Sequence, residues 1–164
     1  EDGGWKLVTN QLNHERVALV SAQPIFLALN GVREWAQNTK DGHGRRLIDS
    51  EWVQLNLARV HAKAEVLKLI NWELASATDA TPSPADASAA KVYGTELATE
   101  AYRLLMEVLG TAATLRTDSP RALLRGRIER MHRSCLILTF GGGTDEIQRD
   151  IIGMVALGLP HASR

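Results

Sequence analysis

No stretch of this 164-residue sequence alternates polar and apolar residues for long enough to make a half-buried strand; its apolar residues recur instead at steps of three and four. Ala and Leu are abundant and there are only five prolines, so the expected fold is all-α. Residues 4–37 read as a first helix, bent near Pro24, whose ring removes a backbone donor and crowds the preceding turn. Residues 38–46, with Gly42 and Gly44, read as a loop. Asp49 or Ser50 caps a second helix with Val53, Leu57, Val60, Ala64, Leu67 and Leu74 on its apolar face, fading by Ser76. Residues 76–88 are small and polar and read as a connector, in which Ser83 and Pro84 supply the cap and first residue of a third helix. That helix turns Ala90, Leu97, Ala101, Leu104 and Val108 inward. Ser119-Pro120 repeats the start signal for a fourth helix with Leu124, Ile128, Met131, Cys135 and Leu138 inside, and a short fifth lies between Thr144 and Gly158. Long helices joined by short or flexible segments predict an antiparallel four-helix bundle with an appended short C-terminal helix.

Size and charge narrow the function. With 45% hydrophobic and 23% charged residues the chain suits one globular core. Lys plus Arg and Asp plus Glu both total 19, which leaves no net field to gather nucleic acid or anionic membrane. Cys135 is the single cysteine, so no internal disulfide forms and a reducing, cytoplasmic setting is expected. The apolar stretch at residues 17–32 is interrupted by Ser21, Gln23, Pro24 and Asn30 and falls short of a bilayer span. Glu1-Asp2-Gly3-Gly4 does not resemble a secretion signal.

Glu15 stands out because it interrupts an apolar stripe. Val8, Leu12, Glu15, Leu19, Ala22, Phe26 and Leu29 fall on one helical face, and Glu15 is its one charge. A carboxylate turned toward an apolar interior loses hydration and holds a proton more tightly, which suits a general base. The alternative is a helix rotated slightly, with Glu15 at the edge of the stripe and paired with Arg16 or Lys6.

Other groupings carry competing readings. Glu129-Arg130-Met131-His132 matches Glu-x-x-His, but a dinuclear helical site needs that motif twice and two further carboxylates, so no metal is expected. Arg121, Arg125, Arg127, Arg130 and Arg133 make a locally basic run that suits a solvated or partner-facing surface better than a phosphate site. Gly141-Gly142-Gly143-Thr144, just before a helix, either converges backbone N–H groups on an anion or polar ring or makes a plain tight turn. His14 and His61 have no nucleophile partner, and Cys135 lies on an apolar stripe as packing.

Taken together, Gly3-Gly4-Trp5 leading into Asn13-His14-Glu15-Arg16, and Phe140-Gly-Gly-Gly-Thr144-Asp-Glu146-Ile-Gln-Arg149, resemble the C-terminal helical domain of acyl-CoA dehydrogenases. The resemblance covers residues 1–164 and implies that the family's N-terminal helical and middle β domains are absent here. It implies FAD as cofactor and oxidation of an acyl-CoA to the trans-2-enoyl-CoA, with a carboxylate removing the α proton and an electron-transfer protein as final acceptor. Most members carry that base in the loop before the last helix, where this chain has Gly142. A minority carry it on the first helix before an Arg, which Glu15-Arg16 matches. The resemblance further implies Asn13, Arg16, Gly142 and Gly143 beside the acyl-CoA, and Thr144 and Glu146 beside the flavin nucleotide; Arg16 could equally orient Glu15 or support the helix.

Two departures qualify the match. Lys40-Asp41-Gly42-His43-Gly44 and Glu107-Val108-Leu109-Gly110-Thr111 replace family segments that reach a neighbour's FAD. Retaining a base while losing those segments fits a heteromeric enzyme with a sister subunit, and Asp150-Ile-Ile-Gly-Met154 with Leu157-Gly-Leu-Pro160 is similar to the actinobacterial sterol side-chain subgroup. An open Gly142 suits a bulky acyl group. A non-catalytic helical assembly subunit of such a complex is the competing reading.

Overall fold

The computed structural model describes residues 3–76 and 82–160. Six α-helices account for most of them: α1 (Gly4–Ala18), α2 (Gln23–Asn38), α3 (Glu51–Ser76), α4 (Pro84–Leu109), α5 (Arg127–Cys135) and α6 (Asp145–Ala156). Among the described residues the only strand-like pairing is one bridge, Lys40 to Arg46, so the expectation of an all-α chain holds.

The chain divides into two compact units, one of residues 1–21, 67–96 and 137–164, the other of residues 22–66 and 97–136. The first unit has a mixed interior. Val20, Leu67, Ala87 and Ala90 are buried in it, but so are Ser88, Lys91, Thr95 and Gln148. Gly94 is required there because a Cβ would stand 2.4 Å from the Cβ of Val20. The second unit is conventionally apolar: Ile25, Leu29 and Val32 of α2, Val53, Leu57 and Val60 of α3, and Leu97, Ala101, Tyr102, Leu105 and Val108 of α4 are buried. Each fully buried Leu, Ile or Val contributes about 1.5–3 kcal/mol. Asn56 donates to Glu107 at 3.2 Å and Lys63 pairs with Glu100, adding polar links between α3 and α4 in this unit.

Three sequence expectations change. The single helix over residues 4–37 is two helices, because Pro24 sits in the first turn of α2, where its missing N–H costs nothing. It starts a helix rather than bending one. The fourth helix begins at Arg127 and not after Ser119-Pro120. Before it, Leu124 and Arg125 take left-handed backbone (φ 47° and 57°), and buried Gly126 comes so close to residues 116–117 that a Cβ would lie 2.7 Å from the Thr117 nitrogen. Of its expected inward face, Ile128 and Cys135 are buried while Leu124, Met131 and Leu138 are half-buried. The connector is also shorter than expected, since α4 starts at Pro84; residues 77–81 lie outside the described part. The Ser83-Pro84 start signal holds, with the Ala85 amide donating to the Ser83 hydroxyl at 3.3 Å.

No helix among the described residues is long and apolar enough to cross a membrane.

Candidate active site

All three residues of interest on the first helix lie on α1, but the helix faces its unit differently from the apolar-stripe reading. Asn13 and Arg16 are its buried side chains, and Glu15 is exposed, as is Val8. This corrects the inward placement of Glu15. One helical residue turns about 100°, and α1 is rotated by roughly that much from the expected stripe. The interior offers Arg16 an acceptor, and that decides the rotation. Arg16 Nη1 donates to Asn13 Oδ1 at 2.9 Å, and Arg16 Nε donates to the carbonyl of Gly142 at 3.2 Å. Burial pulls the guanidinium below its ordinary value, and the charge of neighbouring Glu15 works against that shift.

The Gly142 carbonyl accepts a second bond, from Gln148 Nε2 at 3.2 Å, so both of its lone pairs are used. Gly142 and Gly143 take φ values of 72° and 101°, which L side chains rarely adopt, and a Cβ at Gly143 would meet Gln148 Nε2 at 2.5 Å. A Cβ on Gly142 would stand 3.4 Å from Leu19 Cδ1 and 3.7 Å from Arg16 Cγ. The side of the turn where residue 142 would carry a side chain therefore faces Arg16 and Leu19. The triple-glycine segment is thus a tight turn held open toward one helix.

Beyond the turn, Thr144 caps α6, its hydroxyl accepting from the Ile147 amide at 3.3 Å. Glu146 is exposed, and its own backbone amide, then the Thr144 hydroxyl, hold its carboxyl below the usual range. A carboxylate and a hydroxyl side by side suit the hydroxyl-rich ribityl and ribose parts of a flavin nucleotide, so these residues fit FAD.

A buried network supports the turn from below, and the sequence reading missed it. Gln148 Oε1 accepts from Ser88 Oγ at 2.8 Å. Lys91, fully buried, pairs with Asp145 at 2.5 Å and donates to the Thr139 carbonyl at 3.3 Å, and Thr95 Oγ1 donates to Asp145 at 3.2 Å. The one signal was a lysine inside the small apolar run Ala89-Ala90-Lys91-Val92. A groove of about 670 Å³ runs along α1 past Lys6, Thr9, Asn10 and Asn13 to Ser83.

The remaining candidates go to structural roles. Glu129 pairs with Arg133 at 2.8 Å, and His14 is exposed. Asp41 accepts from the amides of His43 and Arg45, closing the loop after α2, and Glu107 is engaged by Asn56 and Arg103. Cys135 is buried and burial pushes its thiol up, as packing requires.

A helical domain in which a Glu-Arg step meets a glycine turn that caps a final helix matches one family along nearly its whole length: residues 2–157 fit the acyl-CoA dehydrogenase C-terminal domain, and the chain belongs to that family. It is 83% identical, over all of its own length and 42% of the relative's, to acyl-CoA dehydrogenase FadE26 of Mycobacterium tuberculosis. Among solved structures it is similar to the ChsE4-ChsE5 complex of Mycobacterium tuberculosis, with 84% identity, a TM-score of 0.91 and coverage of 99% of this chain and 42% of that one. It is also similar to the Tcur3481-Tcur3483 steroid ACAD, with 38% identity, a TM-score of 0.88 and coverage of 98% and 41%. The chain spans about two fifths of the length of these relatives.

Proposed function

We propose that this chain is the base-bearing C-terminal domain of a FAD-dependent acyl-CoA dehydrogenase that acts on a bulky, steroid-derived acyl-CoA within a heteromeric complex. The observation that supports the reading is the bond from Arg16, the residue next to Glu15, to the carbonyl of the Gly142 turn. Gly142 has no carboxylate, so Glu15 supplies it.

Its exposure fits the role. A base on the surface of this domain becomes a site when the family's other domains and the thioester cover it, excluding water at the place of proton transfer. Glu15 then removes the α proton, the electrons of that C–H bond form the Cα=Cβ bond, and a hydride leaves Cβ. Bound FAD supplies the two-electron acceptor. Thr144 and Glu146 hold the nucleotide by its hydroxyls, and an electron-transfer protein takes the electrons onward. Arg16 positions the turn from within the domain rather than reaching substrate through its guanidinium. Asn13, at the wall of the groove on α1, offers its amide to the pantetheine arm, and Gly142 and Gly143 leave space beside the acyl group.

The steroid preference rests on the 38% identical steroid ACAD and on the side-chain-free turn. Mixing the intact complex anaerobically with steroid side-chain thioesters tests the reading. Bleaching of the flavin with appearance of the enoyl-CoA is expected, and a flavin left oxidised by every thioester would favour a non-catalytic assembly subunit.

A further inference from the structure

Two buried side chains on one face of α4 hold both halves of the candidate site. Ser88 and Lys91, one helical turn and about 4.5 Å apart along the axis, are fully buried and turned to α6. Ser88 Oγ donates to Gln148 Oε1 at 2.8 Å, which orients that amide so that Gln148 Nε2 donates to the Gly142 carbonyl at 3.2 Å. Lys91 Nζ reaches both ends of the glycine loop. It donates to the Thr139 carbonyl at 3.3 Å before the loop and to Asp145 Oδ1 at 2.5 Å after it. Asp145 is buried between Thr144 and Glu146, which are exposed. One ammonium therefore fixes where the loop starts, where it ends, and which way the two residues assigned to the flavin nucleotide face.

The loop needs such an anchor. Gly141, Gly142 and Gly143 are three consecutive residues without a side chain, and their backbone freedom becomes misplacement at a site unless a rigid element removes it. Stability alone would not call for a lysine here, because taking two ions out of water is costly and a well-packed apolar pair in the same place is often as stable. An apolar pair cannot, however, hold two oxygens at set distances from one point, as a charge-assisted donor does.

We propose that Lys91 is a positioning residue: through Thr139 and Asp145 it sets the register between the Gly142 turn, beside the thioester, and Thr144 and Glu146, beside the flavin nucleotide. The proposal rests on the catalytic reading for the identity of the two ligands. Its test is the intact complex carrying Lys91→Met/Asp145→Asn, which strands no charge, compared with Ser88→Ala, which touches the turn alone. In the double variant the dissociation constant of FAD rises and kcat falls, each by about tenfold. In Ser88→Ala, kcat/KM falls by about as much while FAD binding stays within about twofold of wild type. Lys91→Gln/Asp145→Asn, which keeps a donor for the Thr139 carbonyl, recovers part of both losses. A pair that merely supports the fold would lower the urea midpoint and leave both constants of the folded complex unchanged; that result, or FAD loosened only in Ser88→Ala, would overturn the proposal. A wild-type complex that turns over no thioester defeats the catalytic reading instead. Lys91 is then judged by hydrogen exchange of the amides of residues 140–144, expected to be about tenfold faster in Lys91→Met/Asp145→Asn, and unchanged exchange would overturn its role.

Discussion

Arg16 Nε and the carbonyl of Gly142 lie 3.2 Å apart across 126 positions of sequence, and this bond ties the helix that carries Glu15 to the glycine turn before α6. The guanidinium is buried with Asn13 as its second partner, so it acts as a structural clamp. Arg16→Ala takes the Arg16 donor from Asn13 Oδ1 and leaves the Gly142 carbonyl with Gln148 alone. Chemical unfolding of the variant is expected to show a loss of about 2–3 kcal/mol, whereas Glu15→Gln, at an exposed position, changes stability by no more than about 0.5 kcal/mol. Equal losses in the two variants would contradict the burial pattern of α1.

If residue 142 and residue 15 address one place, the base can be moved. Glu15→Gln/Gly142→Glu in the intact complex is expected to recover part of the activity that Glu15→Gln loses. Recovery stays incomplete, since a non-glycine residue at φ 72° costs about 1–2 kcal/mol. Steady-state turnover with the same thioester checks it; a double variant as inactive as Glu15→Gln, while folded and flavin-bound, would count against a shared position.

The Lys91–Asp145 pair is fixed by Thr95 and by the Thr139 carbonyl and sits beneath the turn. Lys91→Met strands a buried carboxylate and is expected to cost about 3–5 kcal/mol, measured by urea unfolding. Lys91→Met/Asp145→Leu removes both charges and is expected to cost less than the single change. A double variant worse than the single would show that a stranded carboxylate is not what makes the single change costly.

Tyr102 is fully buried in the second unit, and burial pushes its hydroxyl up to about 12 from 10. Because the folded value lies above the unfolded one, the protonated phenol favours the fold. That contribution is complete below pH 10 and fades between about pH 10 and 12. Absorbance titration should show no ionisation of Tyr102 below pH 10 while the fold persists, and Tyr102→Phe should flatten the alkaline decline in stability.

The helices of the second unit were legible because their cores are one-sided: Val53, Leu57 and Val60, or Leu97, Ala101 and Leu104, repeat at helical steps and are buried as read. Pattern failed on α1, where the interior takes Asn13 and Arg16 and the apolar stripe that includes Val8 and Leu12 is not the buried face. It failed again at Ser119-Pro120, since the turn that follows is decided by the close approach of Gly126 to residues 116–117, a contact no local window contains. The Glu15-Arg16 step and the glycine turn were visible as motifs, but their meeting depends on a bond between distant residues. Lys91 and Asp145, 54 positions apart, left no joint signal at all.

The most direct test of Glu15 as base is anaerobic stopped-flow of the intact complex carrying Glu15→Gln. The amide keeps the shape and cannot take a proton, so thioester binding is retained while the rate of flavin reduction falls by about 10²–10⁴-fold. Flavin reduction at the wild-type rate in that variant would contradict the account.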